Sequence, residues 1–437
     1  MSDIALKDNG DEQMRLPEED RGNCDYIGGR TIGDLIRGND TLLLFPPETK
    51  DRIESEHVFR VSHNAGVSRF VTGDIMGFVA RGNTSWTICS RFAQGGAAGT
   101  DFFLHYMLQK VCHINFFDLP TGLTRERIFD FLPLLFPFYL KRALSQGLYK
   151  EYRRFEYDDA RVRGVIDVSR HIRKNIPFCG KVAYKTREHS FDNAVTQLVR
   201  HTLEQLRGNR ICRQLADRDP DVRAAAKQII DATSDYNRFE RDKVLARTRH
   251  PIRSPFFVNY EPLRKLCRWI LMHEKLRYER SDKKIYGLLF DGAWLWEEYL
   301  WTLLKTCGNG ITHTQNKEKS GGFSPFRAGN IGRFYPDFYG NGTVFDAKYK
   351  NFDKKNPDSA DLQQMIAYMH VLDCGNGKFL FPSEKASSDE KRLGELNGQG
   401  GSIFTCALAI PQDAADYRDF CQKIVAEENR FVAFVTK

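Results

Sequence analysis

The stretch from Arg333 to Lys350, RFYPDFYGNGTVFDAKYK, gathers the residue types that a hydrolytic centre needs. Two β-favouring runs flank Gly340-Asn341-Gly342, and Asn-Gly is a strong hairpin signal because a type I′ turn requires positive φ at both central residues. With Asn341 and Gly342 as the loop, Gly340 pairs with Thr343, Tyr339 with Val344, Phe338 with Phe345, and Asp337 with Asp346. Directly opposed residues have Cβ atoms about 4.5–5.5 Å apart, and like charges there cost on the order of 0.2–1 kcal/mol unless a positive group joins them. A divalent cation reverses that sign. Alternation places Lys348, two positions beyond Asp346, on the same face. Two acids and an amine at one spot suit phosphodiester hydrolysis, in which a hard ion such as Mg²⁺ takes carboxylate oxygens, polarises the phosphate and lowers the pKa of a bound water. Lys348 would orient that water or offset charge in the transition state.

Two helices are expected to bring further groups. In DGAWLWEEYLWTLLK, from Asp291 to Lys305, Leu295, Tyr299, Leu300, Leu303 and Leu304 form an apolar stripe at helical period, with Asp291 as N-cap. At about 100° per residue Glu297 falls beside the stripe and Glu298 nearly opposite it, so Glu297 looks inward. DLQQMIAYMHVL, from Asp361, buries Leu362, Met365, Ile366, Met369 and Leu372 and stacks Gln364 on Tyr368 at i, i+4. Such a polar pair can line a phosphate groove.

The rest of the chain must hold these groups in place. At roughly 100–200 residues per domain, its length gives two or three units. Hydrophobic residues at 41% and charged residues at 28% are the balance of a globular protein. A net charge of +8 favours anionic partners, nucleic acid among them. The polar, acidic start carries no secretory pattern, so a cytoplasmic protein is expected. The most apolar run, Ile128 to Leu140, contains Asp130, Pro133 and Pro137 and is shorter than the ~20 residues of a membrane helix, so no membrane is expected. Ten cysteines without a CxxC pair read as reduced thiols, and the histidines lack metal-ligand spacing.

The fold class expected is mixed α/β and multidomain. Residues 1–20 read as a flexible tail. Region 21–160 reads as β-rich, with strands near Thr41 to Phe45 and Val67 to Phe78. After a loop over 95–99 it turns helical from Phe102. Region 161–280 reads as mostly helical, with a basic cluster around Val165 to Val168 and a helix capped near Asp192-Asn193. Further helices are expected over 211–232 and 261–277, with a break at His250-Pro251 and Ser254-Pro255. Region 281–437 carries the candidate site.

In chain order the parts are helix acid, Pro-Asp, acid-x-Lys, then Gln-x-x-x-Tyr, and this order resembles the PD-(D/E)xK nuclease superfamily. Pro336-Asp337, Asp346-Ala347-Lys348, Glu297, and Gln364 with Tyr368 match that motif. The resemblance implies Glu297, Asp337, Asp346, Lys348, Gln364 and Tyr368 as catalytic residues. It implies Mg²⁺ held by Asp337, Asp346, Ala347 and Glu297, on a mixed sheet of about four or five strands flanked by helices.

The chain is also similar, over about residues 100–370, to the McrC family. Arg163-Gly164-Val165-Ile166-Asp167-Val168, Arg187-Glu188-His189-Ser190-Phe191-Asp192-Asn193, Phe345 to Lys350 and Asp361 to Met365 carry that resemblance. It implies a two-part machine: an amino-terminal region that docks on hexamers of an McrB-like AAA+ GTPase and stimulates them, and a carboxy-terminal domain that cuts double-stranded DNA. The modified base would be read by the partner. No GxxxxGK(S/T) loop is present to cradle phosphates, so GTP belongs to the partner. A stand-alone repair or recombination nuclease and a non-catalytic adaptor on the same fold remain alternatives.

Overall fold

Short apolar runs, some alternating and some continuous, become the strands of this chain. The computed structural model describes residues 2–39, 41–46, 53–94, 101–112, 125–208, 219–252, 254–278, 285–305, 310–314, 322–327, 332–398 and 400–436. The protein is mixed α/β with several sheets and divides into two compact units, Met1–Ile128 with Arg280–Lys437, and Phe129–Glu279. The loop expected over 95–99, and 211–218 of the helix expected over 211–232, lie outside the described residues.

In the first unit the strands are Ser2–Lys7 (β1), Asp11–Arg15 (β2), Leu42–Phe45 (β3), Arg60–Asn64 (β4), Val67–Val71 (β5), Ile75–Arg81 (β6) and Thr84–Cys89 (β7). Helices Glu18–Gly28 and Ile32–Gly38 separate β2 from β3, and β2, β5 and β4 form a small antiparallel sheet. The expected tail over 1–20 is corrected. β1 pairs in parallel with β7, from Ser2↔Thr84 to Lys7↔Cys89, and its Ile4 and Leu6 are buried. Ile4 and Leu6 alternate as a half-buried strand must. Two apolar residues in a polar stretch are a faint local signal, and the partner that makes them a strand lies far downstream.

The second unit holds an antiparallel sheet ordered β8-β10-β9, from Glu151–Asp159 (β8), Val165–Ile166 (β9) and Val182–Ser190 (β10). The middle of the chain is thus less helical than expected between 161 and 190. Beyond it come Ala194–Arg207, Pro220–Ala232, Arg241–Arg247 and Tyr260–Tyr278. Asn193 caps the first of these, accepting from the Val195 and Thr196 amides.

The chain re-enters the first unit as Ile285–Asp291 (β11), a strand absent from the sequence reading. It pairs antiparallel with β6 and parallel with β3, completing a five-stranded sheet ordered β1-β7-β6-β11-β3. IYGLLFD is apolar on both faces, as a strand covered on both sides is. Gly287 comes so close to β6 that a Cβ there would sit 2.3 Å from the Phe78 carbonyl oxygen. The helix Gly292–Leu304 follows immediately, and the Asp291 carboxylate caps it by accepting the Trp294 amide at 3.0 Å. The amino-terminal sheet therefore fixes where the helix carrying Glu297 begins.

The remaining strands are Thr312–His313 (β12), Phe338–Gly340 (β13), Thr343–Ala347 (β14), Asn376–Ser383 (β15), Asp389–Glu395 (β16) and Ser402–Ala409 (β17). They form one mixed sheet ordered β12-β13-β14-β15-β17-β16, six strands rather than four or five, with β14, β15 and β17 mutually parallel. Helix Ser359–Leu372 covers one face, where Val344, Met365, Tyr368, Met369, Phe379 and Ile403 make a core. Helices Gly292–Leu304 and Tyr417–Val435 pack on β14 and β17. No helix among the described residues is long and apolar enough to cross a membrane.

A buried network ties the two large sheets together just past Lys348. Asp8 accepts the Arg91 amide at 2.6 Å, and the Arg91 guanidinium lies 4.6 Å from the centre of the Tyr349 ring. Burial pushes Asp8 up to about 7, with Arg91 opposing it. A carboxyl whose folded pKa is raised stabilises the fold fully below its unfolded value and loses that contribution as pH rises through about 7. Asp8→Asn should remove up to about 4 kcal/mol of this pH dependence. Melting temperatures across that window check it: the parent should fall with rising pH and the variant should fall less steeply, whereas parallel curves would contradict it.

Candidate functional site

The Asn341-Gly342 turn forms as its residues dictate, with φ of +52° and +70°. The hairpin keeps the expected register, Gly340↔Thr343, Tyr339↔Val344 and Phe338↔Phe345. Asp337, the residue before β13, continues it towards Asp346, and its Oδ2 accepts the Ala347 amide at 2.7 Å. Asp346 is buried at 3% exposure. The hairpin register therefore follows the sequence reading, because a two-residue loop leaves only one pairing.

The electrostatics of the pair follow from crowding. Burial drives Asp337 well above the usual carboxylate range, and the negative charges of Glu297 and Asp346 push it further. Burial also raises Asp346, while Lys348 and a hydrogen bond with Asp337 pull back. One proton is therefore readily shared between them, as for any two carboxylates that cannot both ionise.

Lys348 Nζ lies 2.7 Å from Asp346 Oδ2 and 3.4 Å from Asp361 Oδ1 and donates to Gln364 Oε1 at 2.9 Å. Burial works against its charge, but Asp346, Asp361 and Asp337 outweigh it, so its pKa is raised and it stays an ammonium. Gln364 in turn donates to the Tyr368 hydroxyl at 2.8 Å, which donates to the Tyr335 carbonyl at 3.2 Å. The helix face that carries i, i+4 pairs thereby becomes a chain of hydrogen bonds ending on the lysine.

Two contributors escaped the sequence reading. Asp361, 4% exposed, sits between Lys348 and Lys350 and accepts from Lys350 Nζ with both carboxylate oxygens at 2.8 Å. The signal was present: Asp358 and Asp361 form a reciprocal capping box at the start of Ser359–Leu372. His313 on β12 is the other, its Nε2 3.0 Å from Glu297 Oε1. Glu297 is buried, as expected for an inward-facing position.

The structure therefore joins Asp337, Asp346, Lys348, Gln364 and Tyr368, and sets Glu297 close enough to act on Asp337. Among the described residues no three acid, histidine or cysteine side chains form a ready-made metal cluster. Mg²⁺ does not need one, because it is usually held by one or two carboxylates with water and substrate oxygens. Two adjacent carboxyls whose pKa is raised, chiefly by burial, fit such an ion, since a cation offsets the charge that burial and neighbouring acids penalise.

No curated protein matches the chain. Among the solved structures similar to it are the following two. One is a refined half-complex from a tetradecameric assembly of Thermococcus gammatolerans McrB AAA+ hexamers with bound McrC, at 14% identity, 98% of this chain, 100% of that chain and a TM-score of 0.48. The other is a cryo-EM structure of the Thermococcus gammatolerans McrBC complex, at 16% identity, 70% of this chain, 87% of that chain and a TM-score of 0.28. A family model described as McrBC 5-methylcytosine restriction system component matches residues 71–382, well over half of the sequence. The chain belongs to that McrBC restriction system component family, as its resemblance to McrC implied.

Proposed function

We propose that the chain is an McrC-like endonuclease subunit that hydrolyses DNA phosphodiester bonds with Mg²⁺. It acts with a hexameric McrB-like AAA+ GTPase, which reads modified DNA and whose GTP hydrolysis it stimulates. The observation that carries this reading is the convergence of Asp337, Asp346 and Lys348 at the end of β14, on a mixed sheet flanked by helices, as in the PD-(D/E)xK arrangement. Family membership supplies the restriction context.

Mg²⁺, when bound, supplies Lewis-acid polarisation of the phosphate and a lowered pKa for water. Asp337 and Asp346 would hold it with the Ala347 main-chain oxygen, giving up the proton they share. Glu297, steadied by His313, adds negative charge beside Asp337. Lys348 keeps its ammonium where charge builds on the phosphate in the transition state. Gln364 and Tyr368 hold that ammonium in line. Tyr368→Phe should therefore slow cleavage about tenfold, the lower end for loss of a group that orients a ligand. Single-turnover kinetics on DNA check this, and an unchanged rate would remove Tyr368 from the account.

The decisive assay adds Mg²⁺, GTP and the AAA+ partner to the chain with 5-methylcytosine-containing or unmodified duplex. Cutting that needs every component supports the proposal. Cutting by the chain alone would favour a stand-alone nuclease, and GTPase stimulation without cutting would favour an adaptor. Docking is better probed by surface substitutions than by deleting residues before about 100. That deletion would strip β1, β3, β6 and β7 from the sheet that holds β11.

A further inference from the structure

Strand register carries the row of the candidate metal-binding carboxylate across the whole sheet. Asp346 on β14 pairs with Phe379 on β15, Phe379 with Thr405 on β17, and Thr405 with Lys391 on β16. Laterally paired residues point to the same face. Lys391 therefore shares its face with Asp346, three strand spacings or about 14 Å away.

A cleft of 190 Å³ opens at the far end of this row, at Thr405 and Lys391, beyond the buried Phe379. Phe381 and Thr405 form its floor, and Asp389, Lys391 and Leu393, alternate residues of β16, form one wall. The opposite wall is the segment after β14, with Lys354 and Lys355. Lys355 is seven residues beyond Lys348, so the chain keeps it within about 25 Å of the candidate active site.

The charges in the cleft are not balanced. Lys385 is engaged by Asp389 at 3.0 Å, and Lys354 reaches Glu384 at 3.9 Å. Asp353 is occupied by the Ser383 hydroxyl and the Glu384 amide. Among the described residues, Lys355 and Lys391 have no carboxylate partner, and both are exposed. Single unpaired lysines are common on surfaces, but these two face one cleft on the row of a candidate phosphate-hydrolysing carboxylate.

We infer that this cleft, beside the edge strand β16 and about 14 Å from Asp346, grips the phosphate backbone of the DNA substrate, with Lys355 and Lys391 as its principal contacts. The ligand class rests on the nuclease reading, but the contact itself does not require cleavage. At about 3.4 Å of helix axis per phosphate on one strand, 14 Å places Lys391 roughly four steps from the scissile position.

Binding of a fluorescent duplex to the full-length chain, measured by anisotropy across a salt series without Mg²⁺, tests this independently of catalysis. Lys355→Ala/Lys391→Ala should bind about tenfold more weakly near 0.1 M salt and reduce the slope of log affinity against log salt by about 1.8, or 0.9 per lost phosphate contact. Lys355→Arg/Lys391→Arg should restore both. Parent-like affinity and slope in the alanine variant, or a parent chain that binds no duplex at low salt, would overturn the inference. If binding behaves as expected while the parent never cleaves, the nuclease reading fails and the backbone contact stands.

Discussion

Asp346→Asn should cut DNA at least about 10³-fold more slowly than the parent chain while melting at the same temperature or higher. The two halves of that expectation come from the same feature. Asp346 is buried against a second carboxyl, so its charge is a burden to the metal-free fold. Asparagine keeps the shape and removes the burden, and it also removes an anionic oxygen that Mg²⁺ needs. Lys348→Met, which retains most of the apolar stem and deletes the amine, should slow cleavage by about 10²–10³-fold, the scale of one preorganised electrostatic group. Both variants should still stimulate the GTPase partner. Undiminished cutting by either would remove the assignment of these residues.

Mg²⁺ should raise the melting temperature of the parent chain, and more so at about pH 8 than at about pH 5. Asp337 has its pKa raised well above the usual range by burial, Glu297 and Asp346, so in metal-free protein its contribution to stability is complete below the unfolded value near 3.9 and falls as pH rises through the folded value. The ion competes with protons for the same oxygens, so its affinity climbs across that window. At a concentration 100-fold above its dissociation constant it would add about 2.7 kcal/mol. Asp337→Asn should melt higher than the parent in chelator and show no response to Mg²⁺. A parent whose melting is indifferent to Mg²⁺ at high pH, or a variant that still responds, would contradict this.

The centre of the site was legible because it is local. A two-residue turn fixes the hairpin register, and with it the opposition of positions 337 and 346. Period-2 alternation gives the side of Lys348, and the helical stripe gives the inward turn of Glu297. What was hidden depends on partners distant in sequence. β1 and β11 become strands by lying beside β7, β6 and β3. His313 next to Glu297 belongs to the same class, since nothing near β12 points to the helix it meets. The sheet over 151–190 was missed for another reason. Its strands are polar and partly exposed, so the apolar alternation that marks a strand is weak there.

These omissions bear on function. The amino-terminal sheet, expected as part of a separate docking region, includes the strand from which the Glu297 helix starts and supplies the Arg91 guanidinium that packs on Tyr349. The segment just past Lys348 is thereby anchored to residues from the first hundred of the chain.

A crystal of the chain soaked in Mn²⁺ in place of Mg²⁺ tests the metal-binding claim most directly, through the anomalous signal of the ion. An anomalous peak between the carboxylates of Asp337 and Asp346, absent from Asp337→Asn, is the predicted result. A peak elsewhere, or none at that position with the ion in excess at neutral pH, would contradict the account.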